Sequence, residues 1–465
     1  MNNKIKDLQE FLKGKKIAVL GVGISNKPLI RYLHKFTQDI TAFDMAAADD
    51  KYILMAKSEF EADSIFIKWS LGADYLDSLK GFDIIFKTPK VRIDLPQLLK
   101  ERKKGCIITS EMEIFMQFCP CKIIAVTGSD GKTTTTTMIS LFLKQEGYTV
   151  HVGGNIGKPL LSEIDTINDT DMAVLELSSF QLHAMRTSPD VALITNISPN
   201  HLDVHKNYAE YVNAKASIFM YQNVLGKLVL NFNDRTSKKF ETMARGEVQY
   251  FLKKERNGFY YDSENIYFPP KQKIARKKIF IKGEHNLENY CAAIACVRPF
   301  ASDATIARVI ETFGGVEHRI EYVRAVNGVD YYNSSIDSSP TRTKATLKSF
   351  AQDGIKVIII AGGKDKNSDY QGLGEEMLKV SDRIILCGEN ANHIKKSLMD
   401  AVKANPVFSL PTVIETESYE DAVKEAARLA KTGEAVVLTP AGTSFDKFRN
   451  FEERGILFKE LVNKL

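Results

Sequence analysis

Residues Val126-Thr-Gly-Ser-Asp-Gly-Lys-Thr133 constrain this 465-residue chain more than any other stretch. They follow the apolar run Ile123-Ile-Ala-Val126 and precede a helical run from Thr134 to Phe142, the strand–loop–helix context of a phosphate-binding loop. Glycines allow the chain to wrap tightly, and the exposed amides of Gly128, Ser129, Asp130 and Gly131 can face phosphate oxygens. Lys132 can span the β and γ phosphates, and the Thr133 hydroxyl, with Thr134 beside it, can hold magnesium. The long form of this pattern begins with glycine where this chain has Val126. Because such a loop needs a parallel sheet behind it, the expected fold is α/β.

One loop cannot organise 465 residues, and the hydrophobic patterning restarts twice. A first passage, 1–112, opens with the strand pattern Lys16 to Leu20, runs into Gly21-Val-Gly23, and continues through strands at Ile40–Phe43, Ile84–Phe86 and Cys106–Ile108. The central passage, 113–317, alternates strands and helices through Thr149–Val152, Met172–Leu177, Val191–Thr195 and Leu228–Asn231. A small antiparallel extension follows around residues 259–268. The third passage, 318–465, begins with a hairpin turning at Asn327-Gly328, then a helix opened by Pro340 with Ser338 as its cap. Strands at Val357–Ile360, Ile384–Cys387 and Ala435–Leu438 make it a third α/β unit. Three α/β units would thus follow one another, with the phosphate loop in the mostly parallel sheet of the central one.

Composition removes several function classes. The longest apolar runs are far short of a membrane span, and the polar N-terminus lacks a secretory core, so a cytoplasmic protein without a membrane segment is expected. Six cysteines in a chain of this size read as reduced and structural. The net charge of +5 suits anionic small molecules, while no aromatic-interleaved basic stripe argues for nucleic acid. The basic cluster from Lys271 to Lys282 reads as a solvated hairpin or loop.

Chemistry-bearing residues fall at strand ends. Glu176 closes an apolar strand at the ligand-binding edge of a doubly wound sheet, where a buried carboxylate is costly unless it meets a cation such as magnesium or caps a neighbour. His201, Asp203 and His205 form a cluster that suits either metal or polar surface. Gly153-Gly-Asn155 can bring backbone and Asn155 close to a ligand, and Gly362-Gly-Lys-Asp-Lys366 favours an anionic one. Lys215, within a helix from Tyr208 to Tyr221, has no special role by spacing alone. Gly21-x-Gly23, with Asp44 about twenty residues on, is compatible with a dinucleotide cofactor or a diphosphate-bearing substrate.

Taken in order, these segments resemble the Mur ligases of peptidoglycan synthesis. The likeness runs through Thr127–Thr133, Gly153–Gly157, Leu175-Glu-Leu-Ser-Ser-Phe-Gln181, Asn196–His205, Tyr211-Val-Asn-Ala-Lys215, Gly283–Asn289, Glu317-His-Arg319, Gly362–Lys366 and Thr439–Phe448. The resemblance implies ATP-dependent joining of UDP-N-acetylmuramoyl-L-alanine to D-glutamate through an acyl phosphate, by a monomer using magnesium. It also implies Rossmann-like N-terminal and C-terminal domains before and after a central P-loop ATPase-like sheet; the first domain would hold the uridine diphosphate sugar with Gly23, Ile24, Ser25, Asp44 and Met45, and Asn155 would lie beside the muramoyl-alanine. ATP would meet the phosphate loop, Asn286, Asn289, His318 and Arg319. Thr133, Glu176, His201 and a carbamylated Lys215 would be linked to magnesium, and Lys132, Glu176, His201 and Lys215 would carry the chemistry. Lys366, Ser444 and Phe451 would receive D-glutamate.

Departures from the family pattern are few. Asp-Ser-Lys is frequent where this chain has Ser334-Ser335-Ile336, Ser-Pro-Gly where it has Thr88-Pro-Lys90, and aspartate where it has Asn200. Addition of another amino acid is the alternative within the same chemistry. From other classes, a NAD-dependent oxidoreductase would use Gly21 and Gly23 on a cofactor, and a noncatalytic nucleotide-binding scaffold would have no use for Lys132, Glu176, His201 and Lys215 together.

Overall fold

The computed structural model describes residues 3–199, 204–281, 283–366 and 368–465. His201 and Asp203, Asn200 beside them, and Lys282 of the basic cluster lie outside these residues. The chain divides into two compact units, one of residues 1–279 with 284–311 and the other of 280–283 with 312–465. No described helix is long and apolar enough to cross a membrane.

Two parallel sheets build the first unit. The N-terminal sheet contains β1 (Ile17–Leu20), β2 (Ile40–Asp44), β3 (Lys68–Leu71), β4 (Ile84–Lys87) and β5 (Ile107–Thr109), in the order β3-β2-β1-β4-β5. The central sheet contains β6 (Lys122–Thr127), β7 (Val150–Gly154), β8 (Met172–Glu176), β9 (Val191–Ile194), β10 (Lys227–Asn231) and β11 (Glu247–Phe251), ordered β11-β10-β9-β6-β8-β7. Every pairing in both is parallel. Parallel strands are covered on both faces. Accordingly Ile123, Ile124, Ala125 and Val126 are buried, each full burial of a large apolar side chain contributing about 1.5–3 kcal/mol. Strand order reverses between β1 and β4 and between β6 and β9, and a doubly wound sheet binds ligands at the C-terminal ends of strands beside such a reversal. A three-stranded antiparallel sheet follows, formed by β12 (Tyr260–Tyr261), β13 (Asn265–Phe268) and β14 (Gln272–Ala275). Of the two readings of the basic cluster, hairpin or loop, the hairpin holds: its described residues run from the β13–β14 turn through β14 into the 3-10 turn Arg276–Lys278.

The two large sheets share one core, in which Val19, Ile84 and Phe86 cluster with Ala125, Leu175 and Ile194. The helix Glu111–Phe118 joins them with two buried carboxylates. Glu113 accepts from the Arg186 amide (2.7 Å) and the Thr109 hydroxyl (3.0 Å), and Glu111 accepts from the Leu161 amide (2.8 Å). Burial pushes Glu111 up to about 7, with the Leu160 and Leu161 amides opposing. Between the ordinary carboxylate value and about 7 the folded protein holds a proton that the unfolded chain has released. Stability contributed by this group therefore falls as pH rises through that window and is constant above it. Glu111→Gln keeps an acceptor for Leu161 and removes the titration. The variant should gain roughly 1–3 kcal/mol on the parent between pH 5 and pH 8, read from urea unfolding at both values. A gap independent of pH would show that Glu111 does not titrate as described.

The second unit is a mixed sheet of β15 (Glu321–Val326), β16 (Val329–Asn333), β17 (Val357–Ala361), β18 (Arg383–Leu386), β19 (Thr412–Glu415) and β20 (Ala435–Leu438), ordered β15-β16-β20-β17-β18-β19. Only β15–β16 is antiparallel, and its hairpin turns at Asn327 (φ 51°) and Gly328 (φ 77°), as the Asn-Gly pair predicts. The helix Pro340–Gln352 begins at Pro340 as expected, but Ser339, not Ser338, is its N-cap, and no side-chain cap bond forms. Proline at the first helical position already supplies the required φ and removes one of the amides that a helix start leaves unpaired.

Candidate active site

β6 delivers the chain into the phosphate loop, and β9 shapes it. Gly128 has φ 151°, and a Cβ there would lie 1.8 Å from the Thr195 hydroxyl. Gly131 has φ 78°, and a Cβ there would lie 2.4 Å from Asn289 Oδ1. Between them, the Ser129 amide donates to Asn196 O (2.9 Å), the Asp130 amide donates to Asn196 Oδ1 (3.0 Å), and the Thr195 hydroxyl donates to Asp130 O (2.6 Å). The Ser129 hydroxyl meets Ser198 and Tyr211 Oη, the latter at 2.8 Å. The loop is thus held from both sides before any ligand arrives. It opens onto the N-terminus of the helix Lys132–Glu146, with Thr133 and Thr134 half-buried on the first turn. Lys132 Nζ donates to Ser129 O at 2.9 Å, folding its charge back over the loop. Asn289 is buried behind the loop and accepts from Thr135 at 3.3 Å, and Asn286 lies one turn earlier on the helix Glu284–Val297.

Glu176 ends β8 beside Val126 and is 1% exposed. Its Oε1 accepts from Asn155 Nδ2 at 2.8 Å, while Oε2 is buried without a hydrogen-bond partner among the described residues. Gly154 makes that approach possible: its φ is 102°, and a Cβ there would meet Glu176 O at 2.1 Å. Lys215, 2% exposed on the helix Tyr208–Met220, donates to Gly128 O at 2.6 Å and lies 4.7 Å from the centre of the Tyr211 ring. Burial, reinforced by the charge of Lys132 and opposed by Asp130 and Glu176, pushes its ammonium down to about 7. The fold therefore gathers Lys132, Glu176, Asn155 and Lys215 around one loop from four separate elements. An orphaned buried carboxylate oxygen beside two lysines and a phosphate loop fits a divalent cation with a nucleotide phosphate.

His201 and Asp203 lie outside the described residues. His205, the third member of that polar cluster, is 3% exposed, with Nε2 2.9 Å from the Ser179 hydroxyl and its ring stacked on Phe180 at 5.3 Å. Among the described residues no group of three metal-ligating side chains occurs.

At the N-terminal sheet, both Asp44 oxygens accept backbone amides, from Val22 (2.9 Å) and Ala46 (3.0 Å), so the carboxylate closes the Gly21-x-Gly23 turn. Gly23 has open space where a Cβ would be, Ser25 precedes the helix Asn26–Leu33, and Ile24 and Met45 are 89% and 75% exposed. That combination leaves an uncovered apolar rim around a glycine turn.

In the second unit the strand ends after β16, β17 and β20 converge. Lys364 and Thr443 exchange backbone hydrogen bonds, which bring the Lys366 and Ser444 loops side by side. Lys366 is exposed, 5.1 Å from the centre of the Phe445 ring, whereas Ser444 is 2% exposed. Phe451 opens the last helix and accepts from the Ser335 hydroxyl at 2.7 Å. His318, with φ 63°, packs edge-on against Phe451 and lies 3.0 Å from Asn333 Nδ2. Arg319 follows it. Sequence reasoning marked the missing acid at Ser334 but passed over Asp337, three residues on. Asp337 is 4% exposed and accepts from the Thr346 (2.7 Å) and Thr439 (2.8 Å) hydroxyls. Burial raises its carboxyl above the ordinary range, opposed by those hydroxyls, Ser334 and the charge of Arg319.

Comparison with known proteins identifies the family. Residues 126–297 match the Mur ligase middle domain, and residues 318–442 match the Mur ligase glutamate ligase domain. A protein of Acetivibrio thermocellus named UDP-N-acetylmuramoylalanine--D-glutamate ligase is 49% identical, and one of the same name from Ruminiclostridium cellulolyticum is 47% identical, each over 100% of both chains. Among solved structures, a MurF from Acinetobacter baumannii has a TM-score of 0.56 at 15% identity, covering 83% of this chain and 92% of its own. The UDP-N-acetylmuramate-alanine ligase of Thermotoga maritima has a TM-score of 0.54 at 18% identity, covering 97% and 99%. These two likenesses speak for the fold alone. With full-length identity near one half and both domain families in order, the chain belongs to the UDP-N-acetylmuramoylalanine--D-glutamate ligase family of the Mur ligases.

Proposed function

We infer that this chain is the ATP-dependent ligase that joins UDP-N-acetylmuramoyl-L-alanine to D-glutamate in peptidoglycan precursor synthesis. The observation that carries the reading is the pair of buried charged groups Glu176 and Lys215, gathered with Lys132 and Asn155 around a preorganised phosphate loop, in a chain that matches such ligases end to end. The muramoyl-alanine carboxylate attacks the γ phosphorus of ATP, the bond to the β-phosphate oxygen breaks, and ADP leaves an acyl phosphate. The amine of D-glutamate then attacks the acyl carbon, the carbon–oxygen bond to phosphate breaks, and the amine proton is released as the amide forms. Lys132 and the loop amides offset charge at the transferring phosphoryl group, and Asn155 orients the attacking carboxylate beside Glu176. Arg319 would supply a further positive charge to the triphosphate.

Magnesium suits the donor set of the Thr133 hydroxyl, the orphaned Glu176 oxygen and a carbamate on Lys215, with His201 as a fourth group; it would neutralise phosphate charge. Carbamylation needs a neutral amine, which adds to carbon dioxide with loss of one proton. A Lys215 value near 7 keeps much of that amine neutral at physiological pH. Asn286, Asn289 and His318 would surround adenine and ribose. Gly23, Ile24, Ser25, Asp44 and Met45 would hold the uridine diphosphate end, and Lys366, Ser444 and Phe451 the amino acid. The domains would be 1–112, 113–317 and 318–465, in a cytoplasmic monomer. A NAD-dependent oxidoreductase fits less well, since the phosphate loop of Lys132 and the buried Glu176 and Lys215 beside it have no part in hydride transfer.

The test is ADP release with the UDP substrate and a panel of amino acids. D-glutamate should support turnover at least about a hundredfold better than D-alanine or a diamino acid, a margin that one charged side chain can produce. ADP release independent of the amino acid supplied would refute the assignment.

A further inference from the structure

Arg454 is fully buried at 0% exposure, the bulkiest side chain so enclosed among the described residues. It lies in the first turn of the helix Phe451–Asn463, where the helix dipole is positive and disfavours a cation. Its guanidinium donates to the Ser335 hydroxyl (3.0 Å), the Ser335 carbonyl (2.9 Å) and the Gly442 carbonyl (3.2 Å from each terminal nitrogen). A Cβ on Gly363 would come within 3.0 Å of its Nη1. The side chain thus sits beneath three loops, those leaving β16, β20 and β17, at the edge where such a sheet binds ligands. Every hydrogen-bond partner is neutral, and no carboxylate forms an ion pair with it among the described residues. Neutral oxygens satisfy the donors but leave the charge uncompensated, an arrangement costly in a buried site. A fixed cation under a ligand edge favours an anion on that edge.

We propose that Arg454 is a positioning and charge-selecting residue for the amino-acid substrate. It locks the Ser335, Gly363 and Gly442 loops into one cradle, and through that cradle its charge favours an amino acid carrying a second carboxylate over an uncharged analogue of the same shape. The proposal rests on the reading that the second unit receives D-glutamate, and it adds a determinant that never touches the substrate. Lys366 is the exposed anchor in the same cradle; Arg454 sets the potential behind it.

Steady-state kinetics of the full-length enzyme test this with Arg454→Gln and Arg454→Lys. The glutamine variant should raise KM for D-glutamate about tenfold or more, leave KM for ATP and the UDP substrate within about twofold, and shrink the kcat/KM preference for D-glutamate over D-glutamine. The lysine variant should recover most of the preference, because it keeps the charge. Should either variant fail to give a cooperative thermal unfolding curve, Ser335→Ala decides: loosening the guanidinium should raise KM for D-glutamate alone. Equal rises for all three substrates, equal losses in both arginine variants, or an unchanged KM for D-glutamate in a folded variant would overturn the proposal. If the parent enzyme prefers a different acidic amino acid, the D-glutamate reading fails, and the same comparison is made on that acid. Preference for an uncharged one overturns both.

Discussion

Replacing Lys215 with alanine should lower turnover at least about a thousandfold while ATP binding stays within a few fold of the parent. The two readouts separate because Lys215 is hydrogen-bonded to the phosphate loop at Gly128 O, at 2.6 Å, whereas the loop is independently fixed by Thr195 and Asn196 and backed by Asn289. Losing the amine therefore leaves the nucleotide cradle in place and removes the group from which a carbamate could form. Stability should move little. Alanine leaves a cavity, costing about 2–5 kcal/mol in comparable core truncations, and it also removes an ammonium whose burial is opposed strongly enough to push it down to about 7. The sign of the pH effect follows. Between about 7 and the ordinary lysine value, the unfolded chain holds a proton that the folded protein lacks, so the parent gains stability as pH rises and the variant does not. Turnover can be followed by ADP release, nucleotide affinity by calorimetry, and the carbamate by a carbon-13 resonance from labelled carbon dioxide that the variant should lack. Near-normal turnover would remove Lys215 from the mechanism.

The phosphate loop was legible because its signal is local: an apolar strand, glycines at fixed spacing and a helix start lie within some twenty residues. What completes the loop is not local. Thr195 and Asn196 lie more than sixty residues downstream and reach the loop only because β9 pairs beside β6, a register that no sequence pattern announces. Spacing gave Lys215 no role, and only the family likeness singled it out; packing then provides the physical reason, enclosing the ammonium against Gly128 and Tyr211. Arg454 was invisible for the opposite reason, since Phe451-Glu-Glu-Arg-Gly reads as an ordinary charged helix start. Asp337 was hidden by attention to the acid missing at Ser334. Central strands such as β6 and β17 were found through their continuous apolar runs. The edge strands β3 (Lys68-Trp-Ser-Leu71) and β19 (Thr412-Val-Ile-Glu415) were missed, because half-exposed strands carry mixed side chains that resemble loops.

Glu176→Gln should lower turnover by about a hundredfold to a thousandfold and, in the absence of ligands, leave the protein as stable as the parent or more so. Only a carboxylate kept for a ligand moves both quantities this way. Glu176 accepts one hydrogen bond, from Asn155 to Oε1, and its second oxygen is buried and unpartnered, an omission that costs about 1–3 kcal/mol, more for a charged group. Glutamine keeps the Asn155 bond and the side-chain volume while removing the charge, so part of that cost disappears on substitution. A cation bound with nucleotide would offset the same cost in the parent. Magnesium with a nonhydrolysable ATP analogue should therefore raise the unfolding temperature of the parent well beyond the analogue alone, and this extra increment should largely vanish in the variant. A carboxylate serving only to hold Asn155 would behave otherwise: the variant would lose stability without ligands and keep the full magnesium increment. Thermal unfolding of both proteins, with and without the analogue and the metal, separates the two outcomes independently of activity.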